Sequence, residues 1–219
     1  MTRSTLLLAA PAFALAACGS QPAADAPDPA ASVAAASPAP SGPASPPPHR
    51  APGDPPPAPE PPAPEPLAEE LVRAEWAKSD DPESCGPLAF TTDGGAPATA
   101  RRAEFSGGWG VAFDTPQVRS AYGLAGPGVI DGDAAPPAAQ AARLGRQWPH
   151  FTTLAGLPAP AFAGYGVEGA QDFPADNPDG RGLNALAYVR VGGERCTYNV
   201  WSRLGRAHLE VLLDSLRRL

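Results

Sequence analysis

The stretch Asn184-Ala-Leu-Ala-Tyr-Val-Arg-Val-Gly-Gly-Glu-Arg-Cys-Thr-Tyr-Asn-Val-Trp201 decides the fold. Two runs rich in aromatic and β-branched residues flank Gly192-Gly193, and this pattern predicts a β-hairpin with a two-residue turn. A hairpin with one apolar face is stable only when that face packs against another layer. The stretch therefore predicts an antiparallel sheet near the C-terminal end of the chain.

The predicted turn determines which side chains share a face of this hairpin. With Gly192-Gly193 as the turn, Arg190 lies opposite Arg195, and Val189 lies opposite Cys196. The predicted core face consists of Ala185, Ala187, Val189, Val191, Cys196, Tyr198 and Val200. The other face, which is both polar and aromatic, consists of Leu186, Tyr188, Arg190, Arg195, Thr197, Asn199 and Trp201.

The polar and aromatic face supports two interpretations. Arginines that face each other repel unless something negative lies near, and together with exposed aromatic rings they resemble the lining of a carbohydrate or anion site. The candidate ligand-binding residues are Tyr188, Arg190, Arg195 and Trp201. In the alternative interpretation, Glu194, an acidic loop or water compensates the arginines, while Trp201 and Leu186 lie under the C-terminal helix.

The elements around the hairpin predict the fold class. Residues 67–78 and 136–147 and the segment with Leu209, Leu212, Leu213 and Leu216 have helical spacing, and the second helix begins at a Pro-Pro pair. Further strands are predicted over 88–92, 109–113, 120–124 and 162–167. Because strands and helices alternate irregularly, we predict an α+β domain in which the C-terminal helix packs on a small antiparallel sheet.

The composition divides the chain into three parts. Residues 19–66 hold 18 of the 31 prolines of this 219-residue chain and contain no aromatic residue. Such a segment buries too little apolar surface to offset the entropy of ordering it. We therefore predict a disordered Pro/Ala-rich tether that, with Cys18, spans 18–66, and a single globular domain over 67–219.

The N-terminus has the pattern of an exported protein. Arg3 precedes twelve mostly apolar residues, 6–17, which are too few to span a bilayer and are typical of a secretory leader. The sequence Leu15-Ala16-Ala17-Cys18 resembles the lipobox of bacterial lipoproteins. The resemblance implies that residues 1–17 are removed, that Cys18 carries a diacylglycerol, and that its amine is acylated. Gly19 in place of Asp favours a lipid-anchored, periplasm-facing location at the outer membrane.

The cysteines and histidines favour a structural domain over a catalytic one. Cys85 and Cys196 are the other two cysteines, and in an oxidising compartment we expect them to form a disulfide. The chain lacks the G-x-S-x-G and H-E-x-x-H motifs. His208 is predicted at the surface or edge of the last helix, and neither His208 nor His150 has a sequence context that requires catalysis. We expect no enzymatic activity and no cofactor.

Metal ions and nucleic acids are also not expected as ligands. The acidic segment 176–180 resembles part of an EF-hand loop, but Ala175 and Leu186 occupy its first and twelfth positions, where carboxylates are required. The acidic turn 131–133 stands alone, so turn chemistry is the simpler interpretation of both segments. The net charge of −7 argues against a nucleic-acid-binding protein.

Three functions are consistent with these observations. The first is a lipid-anchored accessory protein of the cell envelope, which acts as a tethered interaction module without catalytic chemistry and contacts another envelope protein. The second is a periplasmic domain that binds an envelope glycan or a small anionic ligand through Tyr188, Arg190, Arg195 and Trp201. The third is a hydrolase.

Replacing Cys18 with Ser tests the predicted anchor. The thioether to the diacylglycerol cannot form on a serine hydroxyl, so the variant is expected to leave the membrane fraction and to lose its acyl chains. Fractionation and mass spectrometry measure both effects. An unchanged distribution between membrane and soluble fractions would contradict the lipobox interpretation.

Overall fold

A computed structural model of the chain describes residues 63–80, 82–105, 107–126 and 135–219. The predicted leader, Cys18, nearly all of the predicted tether and the acidic turn 131–133 lie outside the described residues. Helices in the described part are α1 Glu69–Trp76, α2 Pro137–Gln147 and α3 Arg206–Ser215. Strands are β1 Leu88–Phe90, β2 Thr99–Arg102, β3 Trp109–Asp114, β4 Tyr122–Gly126, β5 His150–Thr153, β6 Phe162–Val167, β7 Ala185–Arg190, β8 Tyr198–Ser202 and β9 Leu216–Arg218. None of the described helices is long and apolar enough to cross a bilayer.

Seven strands form one sheet in the order β2-β3-β4-β8-β7-β6-β5, and all neighbours in it are antiparallel. The two remaining strands, β1 and β9, pair with each other in a small antiparallel ribbon. Helix α3 packs on the large sheet, where it contacts β8 and β7. The predicted α+β class, with an antiparallel sheet and the C-terminal helix on it, is confirmed.

The large sheet has packed layers on both faces. Its core face carries α3 and the β1–β9 ribbon, and Leu209, Leu212 and Leu213 of α3 are almost completely buried there. The opposite face, called here the back face, carries α2. A smaller apolar cluster of Leu144, Trp148 and Phe162 lies between α2 and this back face.

The edges and ends of the fold were the hardest parts to predict. The strands β2 and β5, at the two edges of the large sheet, have the sequences Thr-Ala-Arg-Arg and His-Phe-Thr-Thr, which lack an apolar alternation. The last helix ends at Ser215, and the following residues form β9. Edge strands are short and polar in many proteins because this limits pairing with other chains, so their pattern resembles that of loops.

The alternation in β3 predicted a half-buried strand, but both of its faces are buried. Ala112 lies directly opposite Gly123 in β4, and Gly123 lies opposite Trp201 in β8. The indole of Trp201 lies so close over Gly123 that a Cβ atom there would collide with it. The bulky ring therefore covers a back-face region made of small residues.

The β7–β8 hairpin is present, but its register differs from the predicted one by two residues. Val189 pairs with Tyr198 instead of Cys196, so the connection is longer than the two-residue turn. A shift by two leaves every side chain on its face, because side chains alternate with a period of two. The predicted core-face residues are accordingly all buried. The predicted juxtaposition of Arg190 and Arg195 is wrong.

Two contacts to residues 85–87 explain the longer connection. Cys196 is bonded to Cys85, with the two Cα atoms 5.8 Å apart. The nearly buried Glu194 carboxylate accepts a hydrogen bond from the Gly86 amide at 3.2 Å and pairs with Arg218 at 3.1 Å. It also accepts a short hydrogen bond from the Tyr198 hydroxyl. The chain turns at Gly192-Gly193, where the Glu194 amide donates to the Val191 carbonyl at 3.2 Å, and these links hold residues 194–196 out of the ladder after that turn.

The disulfide is expected to contribute strongly to stability. It closes a loop across 111 residues of sequence, which corresponds to roughly 4 to 5 kcal/mol in the chain-entropy model. The Cys85→Ser/Cys196→Ser double variant is therefore expected to lose about 2 to 5 kcal/mol of unfolding free energy in urea titration. Reduction of the unmodified chain should add two protons to the mass at this pair, and two free thiols before reduction would contradict the disulfide.

Candidate functional site

A cleft of about 420 Å³ lies between α2 and the back-face side chains of β7 and β8. Its walls combine guanidinium, amide and hydroxyl groups with one exposed aromatic ring. The lining residues are Gln140, Arg143, Leu144, Gln147, Tyr188, Arg190, Thr197 and Asn199. This polar cleft is the place where the candidate residues from the sequence and new residues from α2 come together.

Helix α2 supplies one wall of the polar cleft through its helical repeat. Gln140, Arg143, Leu144 and Gln147 follow the spacing that places residues on one side of a helix. Leu144 anchors the helix on the sheet, and the polar members of the stripe line the cleft beside it. Pro137 lies in the first turn of α2, where backbone N–H groups have no partner within the helix. The missing N–H of proline therefore costs no helical hydrogen bond there.

A glycine in β6 lets α2 approach the sheet. A Cβ atom on Gly164 would lie 2.7 Å from Cδ1 of Trp148 and 2.8 Å from Cγ of Leu144, which is closer than side chains tolerate. Gly164 pairs directly with Tyr188. The ring of Trp148, just after α2, meets the Tyr188 ring edge to face with centroids 5.0 Å apart. Tyr188 is thus held in position although 38% of its surface is exposed.

Arg190 is a buried part of the cleft wall. It is 6% exposed, and its guanidinium donates to the Thr197 hydroxyl at 2.7 Å and to the Gln140 side-chain oxygen at 3.0 Å. The Gln140 amide in turn donates to the Ala135 carbonyl at 2.9 Å. These bonds connect β7, β8 and α2 and orient the polar groups at this end of the cleft.

The other two candidate residues lie elsewhere. Arg195 is exposed in the β7–β8 connection and lines a separate cavity near the start of α2. Trp201 covers Gly123 and does not line the polar cleft. The alternative interpretation, in which Trp201 and Leu186 lie under the C-terminal helix, is also wrong, because α3 packs on the core face. Glu194 pairs with Arg218 and not with either arginine of the hairpin.

His208 is held in a structural network. It is half-buried, its Nε2 donates to the Asp93 carbonyl at 3.0 Å, and its Nδ1 accepts from the Ser202 hydroxyl at 3.0 Å. Burial lowers the pKa of His208, although the bond to the Asp93 carbonyl acts in the opposite direction. The Ser202 side chain is completely buried and also accepts from the Leu204 amide. A substrate cannot reach this serine in the arrangement observed.

His150 lies on the core face of the sheet, opposite the face that forms the cleft. Its Nε2 is 3.2 Å from an Asp172 carboxylate oxygen, and its ring stacks on Tyr165. The Tyr165 hydroxyl donates to Glu210 at 2.7 Å. Burial, together with this hydrogen bond, raises the pKa of Tyr165 to about 12, so the phenol stays protonated at neutral pH. The contacts among His150, Tyr165 and Glu210 therefore join β5, β6 and α3.

The described residues offer no cluster of three or more His, Cys, Asp and Glu side chains that could hold a metal ion. In the segment 176–180, which resembles part of an EF-hand loop, Asp179 accepts from the Ala207 amide at 3.1 Å and pairs with Arg181. These contacts fix the start of α3. The Arg181 partner and the α3 amide also hold the pKa of the Asp179 carboxyl below its usual range.

Comparison of this chain with protein-family models, with curated proteins and with solved structures found no match. The function is therefore argued from the cleft itself.

Sequence reasoning found the β-strand half of the polar cleft and missed the helical half. The predicted polar face includes Thr197 and Asn199. It does not include the cleft residues of α2, which are Gln140, Arg143 and Gln147. The available signal was their spacing on α2, on the side of the helix next to its apolar residues. Nothing in that spacing indicated which strands the helix would cross.

Because the two hairpin arginines differ in burial, we expect their replacement to change the unfolding free energy by different amounts. Arg190→Gln removes hydrogen bonds to Thr197 and Gln140 in a buried position and is expected to cost roughly 1 to 3 kcal/mol of unfolding free energy. Arg195→Gln, in an exposed position, is expected to change the unfolding free energy by less than about 0.5 kcal/mol. Urea titration of both variants measures the difference, and an equal loss for both would contradict these environments.

Proposed function

We propose that this chain is a lipid-anchored accessory protein of the outer membrane that faces the periplasm and binds an acidic sugar of the envelope in the polar cleft. In this proposal the domain recognises its ligand without performing catalysis. The sugar is either part of an envelope glycan or a small anionic molecule of the same chemistry. The membrane is the second partner, through the acyl chains on Cys18.

The composition of the cleft wall is the observation that carries the proposed ligand. Arginine forms strong charge-assisted hydrogen bonds to carboxylates and phosphates, and Arg143 and Arg190 both line the cleft. Side-chain amides and hydroxyls of Gln147, Thr197 and Asn199 match the hydroxyl and acetamido groups of a sugar. The exposed ring of Tyr188 offers an apolar surface to the C–H face of a sugar ring.

The size and rigidity of the cleft also favour a small ligand. A volume of about 420 Å³ lies within the range of about 300 to 1,000 Å³ that small-molecule sites occupy. Arg190 is fixed by Thr197 and Gln140, and Tyr188 is fixed by Trp148. Groups that are already ordered lose less conformational entropy when a ligand binds.

The positions of the histidines support a binding role over hydrolysis. His208 donates to a backbone carbonyl and accepts from a buried serine, and His150 lies on the face of the sheet opposite the cleft. Neither histidine lines the polar cleft. A general base must lie within hydrogen-bond reach of the proton it removes, and neither histidine is within reach of a sugar in this cleft.

Binding of N-acetylmuramic acid to the full chain tests the proposal, with N-acetylglucosamine as the matched sugar that lacks the carboxylate. We expect isothermal titration calorimetry to detect the acidic sugar and to find weaker binding of the neutral one. Arg143→Gln is expected to weaken binding of the acidic sugar about tenfold or more, since a hydrogen bond between charged groups contributes about 1.5 to 3 kcal/mol.

Arg146→Gln is the matched control, because Arg146 is exposed on the same helix but does not line the cleft. It is expected to leave the affinity unchanged. No binding of either sugar by the folded chain, or equal losses in the two variants, would refute the proposed ligand.

A further inference from the structure

A second cavity, of about 560 Å³, lies on the other side of α2 from the polar cleft. It is enclosed by the first turns of α2, the edge strand β5 and the connection 154–161 between β5 and β6. Its walls include Ala138, Ala141, Phe151, Leu154 and Phe162. Phe151 is 40% exposed and stacks on Phe162 with ring centroids 5.8 Å apart. An apolar surface of this kind is costly to leave in water.

A smaller cavity with polar groups in its wall lies next to the apolar cavity. This smaller cavity, of about 240 Å³, shares Pro137, Pro160 and Phe162 with the apolar cavity, so the two are adjacent. Its far wall is the β7–β8 connection, which docks on the β5–β6 connection through a hydrogen bond from the Gly192 amide to the Pro158 carbonyl at 3.1 Å. Arg195 lies in that wall.

The charges at the polar end favour an anion. Arg195 is exposed and has no ion-pair partner among the described residues, which include the whole hairpin. Glu194 lies in the same wall, but its carboxylate is 5% exposed and is paired with Arg218. Arg190 lines this cavity too, but its guanidinium is buried and bonded to Thr197 and Gln140, whereas Arg195 presents an exposed positive charge.

We propose that this groove binds a linear fatty acid, with the alkyl chain in the apolar cavity and the carboxylate beside Arg195. Among the side chains of the apolar cavity only Thr153 is polar, so the walls suit an alkyl chain. The guanidinium at the open end matches a carboxylate. The apolar cavity shares no lining residue with the polar cleft, and this site goes beyond the proposed sugar binding.

Titration of laurate into the full chain tests the site, with Cys18 replaced by Ser so that no covalent lipid is attached. We expect calorimetry to show saturable binding at concentrations below micelle formation. Ala138→Trp places an indole in the apolar cavity and is expected to weaken laurate binding about tenfold or more, equivalent to losing roughly two buried methylene groups. Ala139→Trp is the matched control, because Ala139 is exposed on the same turn of α2 but is not in the lining.

The proposed contact between the laurate carboxylate and Arg195 is tested separately. Arg195→Gln is expected to weaken laurate binding roughly two- to fivefold, as for an ion pair at a protein surface. Arg203→Gln, at an exposed arginine outside the groove, is expected to leave it unchanged. Dodecanol, which has the same chain without the charge, should bind equally to the unmodified chain and to Arg195→Gln.

Three results would overturn the fatty-acid site: no laurate binding by the folded chain, equal binding by the two tryptophan variants, or binding of a peptide with the sequence of residues 52–64 but not of laurate. Arg143→Gln should leave laurate binding intact, and Ala138→Trp should leave binding of N-acetylmuramic acid intact. Failure of this site is therefore distinguishable from failure of the polar cleft.

Discussion

The attachment of the β7–β8 connection to residues 85–87 is the constraint on which the site depends. The Cys85–Cys196 disulfide and the Glu194 carboxylate hold the connection away from the ladder, and the Glu194–Arg218 pair adds the C-terminal strand β9 to the same group. Because the connection is held out, the ladder register moves by two residues. In this register Arg190 donates a hydrogen bond to Thr197 and lines the cleft, whereas Arg195 lies in the exposed connection. The disulfide and the Glu194 contacts thus accompany a register in which Arg190 and Arg195 are not opposite each other.

Glycine positions on the back face determine where that face is open. At Gly164 the absent side chain lets Leu144 and Trp148 approach, so α2 covers the β5–β6–β7 part of the sheet. At Gly123 the absent side chain leaves room for the six-membered ring of Trp201. The polar cleft lies between these two covered regions, beside Tyr188 and Asn199. A larger residue at Gly164 would displace Trp148, whose ring holds Tyr188 of the cleft in position.

Local patterns were sufficient to predict the fold class, the hairpin and the core face, because these depend on the alternation of side chains along a strand. The register was not predictable in the same way. A turn forms at Gly192-Gly193, where the Glu194 amide donates to the Val191 carbonyl at 3.2 Å, but the residues after it are linked to Cys85 and Gly86 and do not continue the ladder. The edge strands β2 and β5 were missed because their sequences lack an apolar alternation. Of the four candidate binding residues, Tyr188 and Arg190 line the polar cleft, whereas Arg195 and Trp201 do not. The positions of these two depend on the connection and on Gly123. The lipobox and the tether remain predictions, since they lie outside the described residues.

The two sides of α2 explain how a short helix can border cavities of opposite chemistry. The side with Gln140, Arg143 and Gln147 is polar, and the side with Pro137, Ala138 and Ala141 is apolar. Leu144 and Trp148 attach the helix to the sheet between the two sides, so neither side must be buried for the helix to be stable. The Gln140–Arg190 hydrogen bond lies where the polar cleft meets the cavity that contains Arg195, since both residues line both cavities. This bond anchors the N-terminal half of α2 to the sheet, and for that reason the positions of both proposed ligand sites depend on the same pair of side chains.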